Sequence, residues 1–97
     1  MTEAGKIRQE CLRPATGGWE RPTGNEVREA LRLAQLTGGQ AAKTLGLGAE
    51  GGRTVRRWIG EDSAIPYAAW ALLCDVAGLG RIWRTTHGPN DTNKSEF

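Results

Sequence analysis

The sequence is poor in the residues that build catalytic, metal-binding and disulfide sites. Its 97 residues include only two cysteines and one histidine. Cys11 and Cys74 lie far apart and form no CxxC or Cys/His motif, which excludes a recognisable zinc site or disulfide framework. His87 stands alone near the C-terminal end, and Asp75 has no acidic partner at a spacing that supports acid–base catalysis. We therefore expect no enzymatic activity, no metal and no cofactor.

Long apolar runs are also missing. No stretch approaches the roughly 18 residues of a transmembrane helix, and the polar N-terminal residues contain no apolar signal-peptide core. Cys74 lies in a short apolar segment, where a reduced and packed thiol is expected. These features predict a cytoplasmic protein that makes no membrane contact. A chain of this length fits one domain, whose core is too small to enclose a deep catalytic cleft as well.

Positive charge is concentrated in one part of the chain. The net charge of +2 permits nucleic acid as a partner without requiring it. Arg53, Arg56 and Arg57, however, fall within five consecutive positions that contain no acidic residue. A solvated helix face normally mixes charges of both signs. The run therefore favours a binding surface over a face that merely contacts water.

Two capping boxes mark the beginnings of the first two helices. Thr23 is followed by Glu26, and Thr37 is followed by Gln40, so each pair can satisfy two free backbone amides. Apolar residues then recur at helical spacing, which predicts a first helix of about three turns. The second helix is shorter and ends at Gly46, a residue suited to a left-handed C-cap.

The second half of the chain contains two further helical patterns. A glycine-rich turn over residues 47–52 leads to a third helix, in which Val55 and Trp58 share one face and the arginines share the other. Pro66 is predicted as the first residue of a fourth helix, which Gly78 ends. No segment alternates with a period of two, so no strand is predicted.

These elements predict an all-α fold, a compact four- to five-helix bundle with a helix-turn-helix. The helix-turn-helix domain is expected to span residues 23–84. Residues 1–22 contain glycines and prolines with little periodicity and are interpreted as an N-terminal arm. Residues 85–97 lack aliphatic side chains and are predicted to be a disordered tail.

A short helix, a turn and a helix with outward arginines are typical of DNA recognition. The major groove admits a single α-helix, which must be apolar on its inner face and rich in hydrogen-bond donors on its outer face. Val55 and Trp58 meet the first requirement. The arginines meet the second, because a guanidinium group can reach O6 and N7 of guanine together. The sequence therefore predicts binding to double-stranded DNA.

The segments LTGGQAAKTLGL, RTVRRWIG and IPYAAWALL resemble the lambda-repressor-like helix-turn-helix regulators of phages and conjugative plasmids, and among them the KorC-like repressors. The resemblance covers residues 27–73. It implies four or five helices and a homodimer on a palindromic operator. It also implies DNA contacts by Thr37 and Gly38 at a phosphate, by Gly52, Arg53 and Arg57 at base edges, and by Thr54 and Arg56 nearer the backbone.

The sequence departs from the family's pattern in two places. Gly38 stands where the family commonly has glutamine, so a side-chain clamp on the phosphate is missing. Backbone amides at the start of the second helix can still bind that phosphate. The turn after the second helix is longer than the family's usual turn, which leaves open the angle of the recognition helix and whether Glu50 contacts DNA.

The predicted fourth helix is apolar on nearly every side. Ala69, Leu72, Leu73 and Val76 form its expected core stripe, yet the residues outside this stripe are mostly apolar too. A helix that is apolar all round is normally buried on all sides, which predicts a two-fold subunit interface. The alternative is that the N-terminal arm folds back over this face with Trp19 as its anchor. The predicted interface residues are Tyr67, Trp70, Ile82 and Trp83.

The sequence as a whole favours a repressor that binds a palindromic operator as a homodimer. No small-molecule ligand is expected, because no separate ligand domain is present. Two alternatives remain open at this point: an antitoxin that represses its own operon, and a protein-interaction module on the same scaffold that does not bind DNA.

Overall fold

A computed structural model describes residues 6–84, which form four α-helices preceded by a short 3₁₀ helix. No strand occurs in this part of the chain, so the predicted all-α bundle is confirmed. The predicted tail, including His87, and residues 1–5 lie outside the described residues. The 3₁₀ helix is Gln9–Leu12, and the α-helices are α1 (Gly24–Ala34), α2 (Gly38–Thr44), α3 (Gly51–Ile59) and α4 (Tyr67–Val76).

Both predicted capping boxes are present. At α1 the Thr23 hydroxyl accepts a hydrogen bond from the Glu26 amide at 3.2 Å, and the Glu26 carboxylate accepts one from the Thr23 amide at 2.7 Å. The same reciprocal bonds join Thr37 and Gln40 at α2, at 3.1 and 2.9 Å. These bonds satisfy amides that have no partner within the helix and fix where α1 and α2 begin.

Each helix is followed by a residue in the left-handed conformation. At all four ends the next amide then bonds to the carbonyl five residues earlier, as Leu47 does with Ala42 at 2.9 Å. This is the Schellman motif, and it confirms the predicted helix ends at Gly46 and Gly78. The four left-handed residues are Gln35, Gly46, Glu61 and Gly78, with φ between 61° and 86°.

The N-terminal segment, residues 6–22, packs on the helices rather than standing apart from them. Cys11 is fully buried, and its carbonyl accepts a hydrogen bond from the Trp70 indole at 2.7 Å. The Tyr67 hydroxyl donates to the Arg13 carbonyl at 3.1 Å. Trp19 meets Tyr67 edge to face, with ring centroids 5.0 Å apart. The segment therefore covers one side of α4 with Trp19 as an anchor, as the alternative interpretation held.

Because the N-terminal segment covers α4, the side of α4 that is buried differs from the predicted one. Leu72 and Val76 are 41% and 42% exposed, so the predicted core stripe is wrong at both positions. The residues that α4 buries are Trp70, Ala71, Leu73 and Cys74. Pro66 is the N-cap of α4 rather than its first helical residue.

Two of the predicted interface residues lie in the core of a single chain. Trp70 is fully buried, and Ile82 is 6% exposed. Their placement on an outer surface is therefore wrong, and for Trp70 the N-terminal segment supplies the partner that a second subunit was predicted to supply. Trp83, in contrast, is exposed, and Tyr67 is half-buried.

Two glycines allow α3 to approach its neighbours closely. A Cβ atom added to Gly51 would lie 2.6 Å from the Cβ of Ala42 and 2.7 Å from that of Leu47. A Cβ atom added to Gly24 would collide with the carbonyl oxygen of Ile59. The beginning of α3 is thus held against α2, and its end is held against the beginning of α1.

Candidate nucleic-acid interface

The two faces of α3 differ sharply in chemistry. Val55 and Trp58 are 1% and 5% exposed, which confirms that they hold the helix on the core. Together with Gly51 they form its buried face. With about 100° between successive residues, Arg53 lies opposite this face. The other two arginines, Arg56 and Arg57, lie on either side of Arg53, and all three are exposed.

The three arginines have different surroundings. Arg53 Nε lies 3.8 Å from Glu50 Oε1, with 66% and 78% of the side chains exposed, so water weakens this pair. The Arg56 side chain lies back along the helix towards Gly52, where a Cβ atom would be 3.7 Å from its Nη1. Within residues 6–84 no carboxylate forms an ion pair with Arg56 or Arg57. All three guanidinium groups can therefore bind an external anion.

The beginning of α2 lies beside the middle of α3. A Cβ atom at Gly38 would be 3.7 Å from Val55 Cγ1, in ordinary contact. Thr37 is exposed, and its hydroxyl oxygen accepts the Gln40 amide. The proton of that hydroxyl remains available for an acceptor such as a phosphate oxygen. The structure thus brings Thr37 and Gly38 next to the arginine helix.

The helix α3 begins two residues earlier than the glycine pattern predicted. Helix α3 begins at Gly51, so Gly51 and Gly52 belong to its first turn. Glu50 is the N-cap but forms no capping hydrogen bond with its side chain. The Thr54 hydroxyl donates to the Glu50 carbonyl at 3.4 Å, so it points along the helix rather than outward.

An apolar surface patch lies on the side of α4 that the N-terminal segment leaves uncovered. Leu72, Val76 and Trp83 are 41%, 42% and 44% exposed. A cavity of about 330 Å³ beside them is lined by Tyr67, Ala68, Ala71, Leu72 and Trp83. Leu72 and Val76 were predicted in the core and not on this surface. Because α4 is apolar on nearly every side, no spacing in its sequence distinguishes the exposed stripe of Ala68, Leu72 and Val76 from the buried residues.

Residues 6–84 contain no group of three or more His, Cys, Asp or Glu side chains able to hold a metal ion. No helix among them has the length and apolar character needed to cross a membrane.

Comparison with known proteins identifies the relatives of this chain. Two proteins of Escherichia coli, both named Transcriptional repressor protein KorC, are similar to it. One is 68% identical over 84 residues, covering 87% of this chain and 98% of the relative. The other is 72% identical over 78 residues, covering 80% and 91%. The chain belongs to the KorC family of transcriptional repressors. No protein-family model and no solved structure matches it.

Membership of the KorC family agrees with the resemblance carried by the LTGGQ, TVRRW and IPYAAW segments. It also confirms that the chain is not an enzyme, because the KorC relatives are regulators of transcription. Most of the chain takes part in this similarity.

Proposed function

We propose that this KorC-family repressor binds a palindromic operator in double-stranded DNA and inserts α3 into the major groove. The observation that supports this proposal best is the composition of α3. Three exposed arginines occupy one face, and the opposite face is anchored by Val55 and Trp58. A helix with a cationic outer face and a fixed inner face suits a groove that is wide enough for one helix.

Different residues are assigned different contacts. Arg53 and Arg57, with Gly52 where the backbone comes close, read base edges, and arginine favours guanine. Arg56 and Thr54 lie nearer the sugar-phosphate backbone. Thr37 and Gly38 bind a phosphate beside the groove, through the Thr37 hydroxyl and the free amides at the beginning of α2.

The operator is proposed to bind a homodimer. The uncovered apolar patch of α4 would be the contact between subunits, centred on Leu72, Val76 and Trp83, with Tyr67 at its edge. A two-fold axis through this patch would present two copies of α3 to half-sites about 10 base pairs apart. The repressor would act in the cytoplasm and would need no small-molecule ligand.

The proposal is tested by selecting bound sites from a pool of random duplexes. We expect a palindromic sequence to emerge and to be bound in gel shifts at two salt concentrations. Binding should weaken as salt rises, because phosphate contacts release counterions. A protein-interaction module would enrich no sequence and shift no duplex, and an asymmetric selected site would contradict the homodimer.

A further inference from the structure

A second basic surface lies on α1 and is built from residues that the proposed α3 contact does not use. Asn25, Arg28 and Arg32 are three and four residues apart, so they lie along one exposed side of the helix. The N-terminal segment brings Lys6 to the same side. Together with Glu29 these residues line a cleft of about 470 Å³.

The cleft carries uncompensated positive charge. Its one carboxylate, Glu29, is buried and accepts two hydrogen bonds from Arg32, at 3.0 and 2.7 Å. These bonds lower the pKa of Glu29, so the Glu29–Arg32 pair is neutral overall at neutral pH. Within residues 6–84 neither Lys6 nor Arg28 forms an ion pair. The lining of the cleft therefore has a net charge of +2, although Lys6 also attracts the Glu29 carboxylate and helps to lower its pKa.

The position of Lys6 is fixed by the fold. Ile7, the next residue, is 4% exposed. Arg8 then bonds Glu26 of α1 through its backbone amide, its Nε and its Nη2, each at 2.9 Å. Because the backbone of Lys6 is already ordered, Lys6 loses less conformational entropy on binding an anion than a lysine in a flexible terminus would.

The basic side of α1 leads to the proposed DNA contact. Arg32 lies in the last turn of α1, and only residues 35–37 separate that helix from α2. Thr37 and Gly38 at the beginning of α2 lie beside α3. The cleft therefore lies on the helix that leads, through residues 35–37, into the proposed phosphate contact at Thr37 and Gly38.

We propose that the α1 cleft, with Lys6, Arg28 and Asn25 as donors, binds backbone phosphates of the operator beyond the base pairs that α3 reads. The inference rests on the proposed function. Phosphate oxygens accept hydrogen bonds from lysine, arginine and amide groups, and most contacts of this kind position a protein without reading sequence. The cleft would thus extend the footprint and raise affinity for operator and other DNA alike.

The test uses the full chain and the selected operator in two duplexes, one trimmed to the α3 footprint and one with flanking sequence. Lys6→Ala and Arg28→Ala should each reduce the salt slope by about one unit on the flanked duplex. Affinity for flanked operator and flanked scrambled DNA should fall by the same factor. Binding to the trimmed duplex should not change.

Arg13→Ala is the matched control, because Arg13 is an exposed cation of the N-terminal segment outside the cleft. It should leave the slope unchanged. An equal loss in Arg13→Ala and Arg28→Ala, or no loss in Arg28→Ala and Lys6→Ala, would overturn the inference while leaving the α3 contact intact. A wild-type chain that binds no duplex would instead overturn the proposed function as well. Thermal melting shows that each variant is folded.

Discussion

The arginines of α3 carry the same charge but should contribute differently to recognition. All three are exposed, but Arg53 lies opposite the buried face of α3, whereas the Arg56 side chain lies back along the helix towards Gly52. We expect Arg53→Ala and Arg57→Ala each to weaken operator binding by about 1–3 kcal/mol and to relax the preference at one base pair. Arg56→Ala should weaken binding to all sequences alike and lower the salt slope by about one unit.

These roles are measured as affinities for operator and scrambled duplexes over a salt series. If Arg53→Ala and Arg57→Ala weakened both duplexes equally, the two arginines would be an electrostatic patch without base contacts. Specificity would then have to come from elsewhere on the surface.

Glu26 connects the N-terminal segment to α1 and makes stability depend on pH. Burial alone would raise the pKa of this carboxyl, but hydrogen bonds from Arg8 and Thr23 outweigh burial and lower the pKa to about 2. The folded pKa is thus below the ordinary value of 4.5. The stabilisation is present above that ordinary value and is lost as the pH falls towards about 2.

The variant Glu26→Gln should remove this part of the pH dependence. It should also lower the free energy of unfolding at neutral pH by about 2 kcal/mol, because hydrogen bonds to a charged group are lost. Urea unfolding at several pH values measures both effects. Glu20→Gln is the control, since Glu20 also meets Arg8 but its side chain is 57% exposed. An unchanged pH profile in Glu26→Gln would show that another group dominates acid unfolding.

Single residues were predictable where their partners are close in sequence. Val55 and Trp58 were assigned to the core from a three-residue spacing, and both capping boxes followed from two residues each. Trp70 could not be assigned in the same way. Its hydrogen-bond partner, the Cys11 carbonyl, is 59 residues away, and nothing in the local pattern of α4 indicates it.

At the scale of elements, the close contact between α2 and α3 depends on Gly51. The side chains of Ala42 and Leu47 leave no space for a Cβ atom at this position. Gly51→Ala should therefore push α3 away from α2, lower the melting temperature and weaken operator binding, because the arginines move with the helix. Gly39→Ala in α2 is the control, since a Cβ atom there has no heavy atom within 4 Å.

Calorimetry and gel shifts compare the two variants. Gly39→Ala should leave the melting temperature unchanged or raise it, because alanine favours helix by up to about 1 kcal/mol over glycine. A Gly51→Ala protein that is as stable as Gly39→Ala would mean that the two helices can separate without loss.

The beginning of α3 shows why element boundaries were harder to predict than elements. Gly51 and Gly52 have low helix propensity and were interpreted as part of the turn. Gly51 lies where α3 meets α2 and leaves no room for a Cβ atom, whereas a Cβ atom at Gly52 would only make an ordinary contact with the Arg56 side chain. Local propensity thus indicated a loop at a position where the contact between two helices decides the structure.

At the scale of the whole molecule, the apolar surface of α4 has two parts, one covered by the N-terminal segment and one exposed. Trp70 faces the N-terminal segment within one chain, and Leu72 lies on the uncovered patch. We expect Leu72→Glu to separate the proposed dimer without unfolding the chain, because a charge in an apolar contact is unfavourable while the same charge in water is not. Trp70→Ala should instead destabilise the fold by about 3–5 kcal/mol.

Light scattering and thermal melting distinguish the two outcomes. Leu72→Glu should halve the mass with little change in melting temperature, and Trp70→Ala should lower the melting temperature strongly. A Leu72→Glu protein that stays dimeric would place the subunit contact on another surface. The sequence predicted the excess of apolar residues on α4, but not how the excess is shared, since that depends on how the N-terminal segment folds back.

The hydrogen bond between Trp70 and Cys11 also has a consequence for how the chain is made. Residues 6–13 are synthesised well before α4, the helix that they pack against. Helical bundles usually fold quickly because their contacts are local, whereas this contact spans 59 residues. The core therefore cannot close before α4 has been synthesised, and a chain truncated before α4 leaves Cys11 without the Trp70 indole that its carbonyl binds. A prematurely terminated product would be a substrate for proteases rather than a partially active repressor.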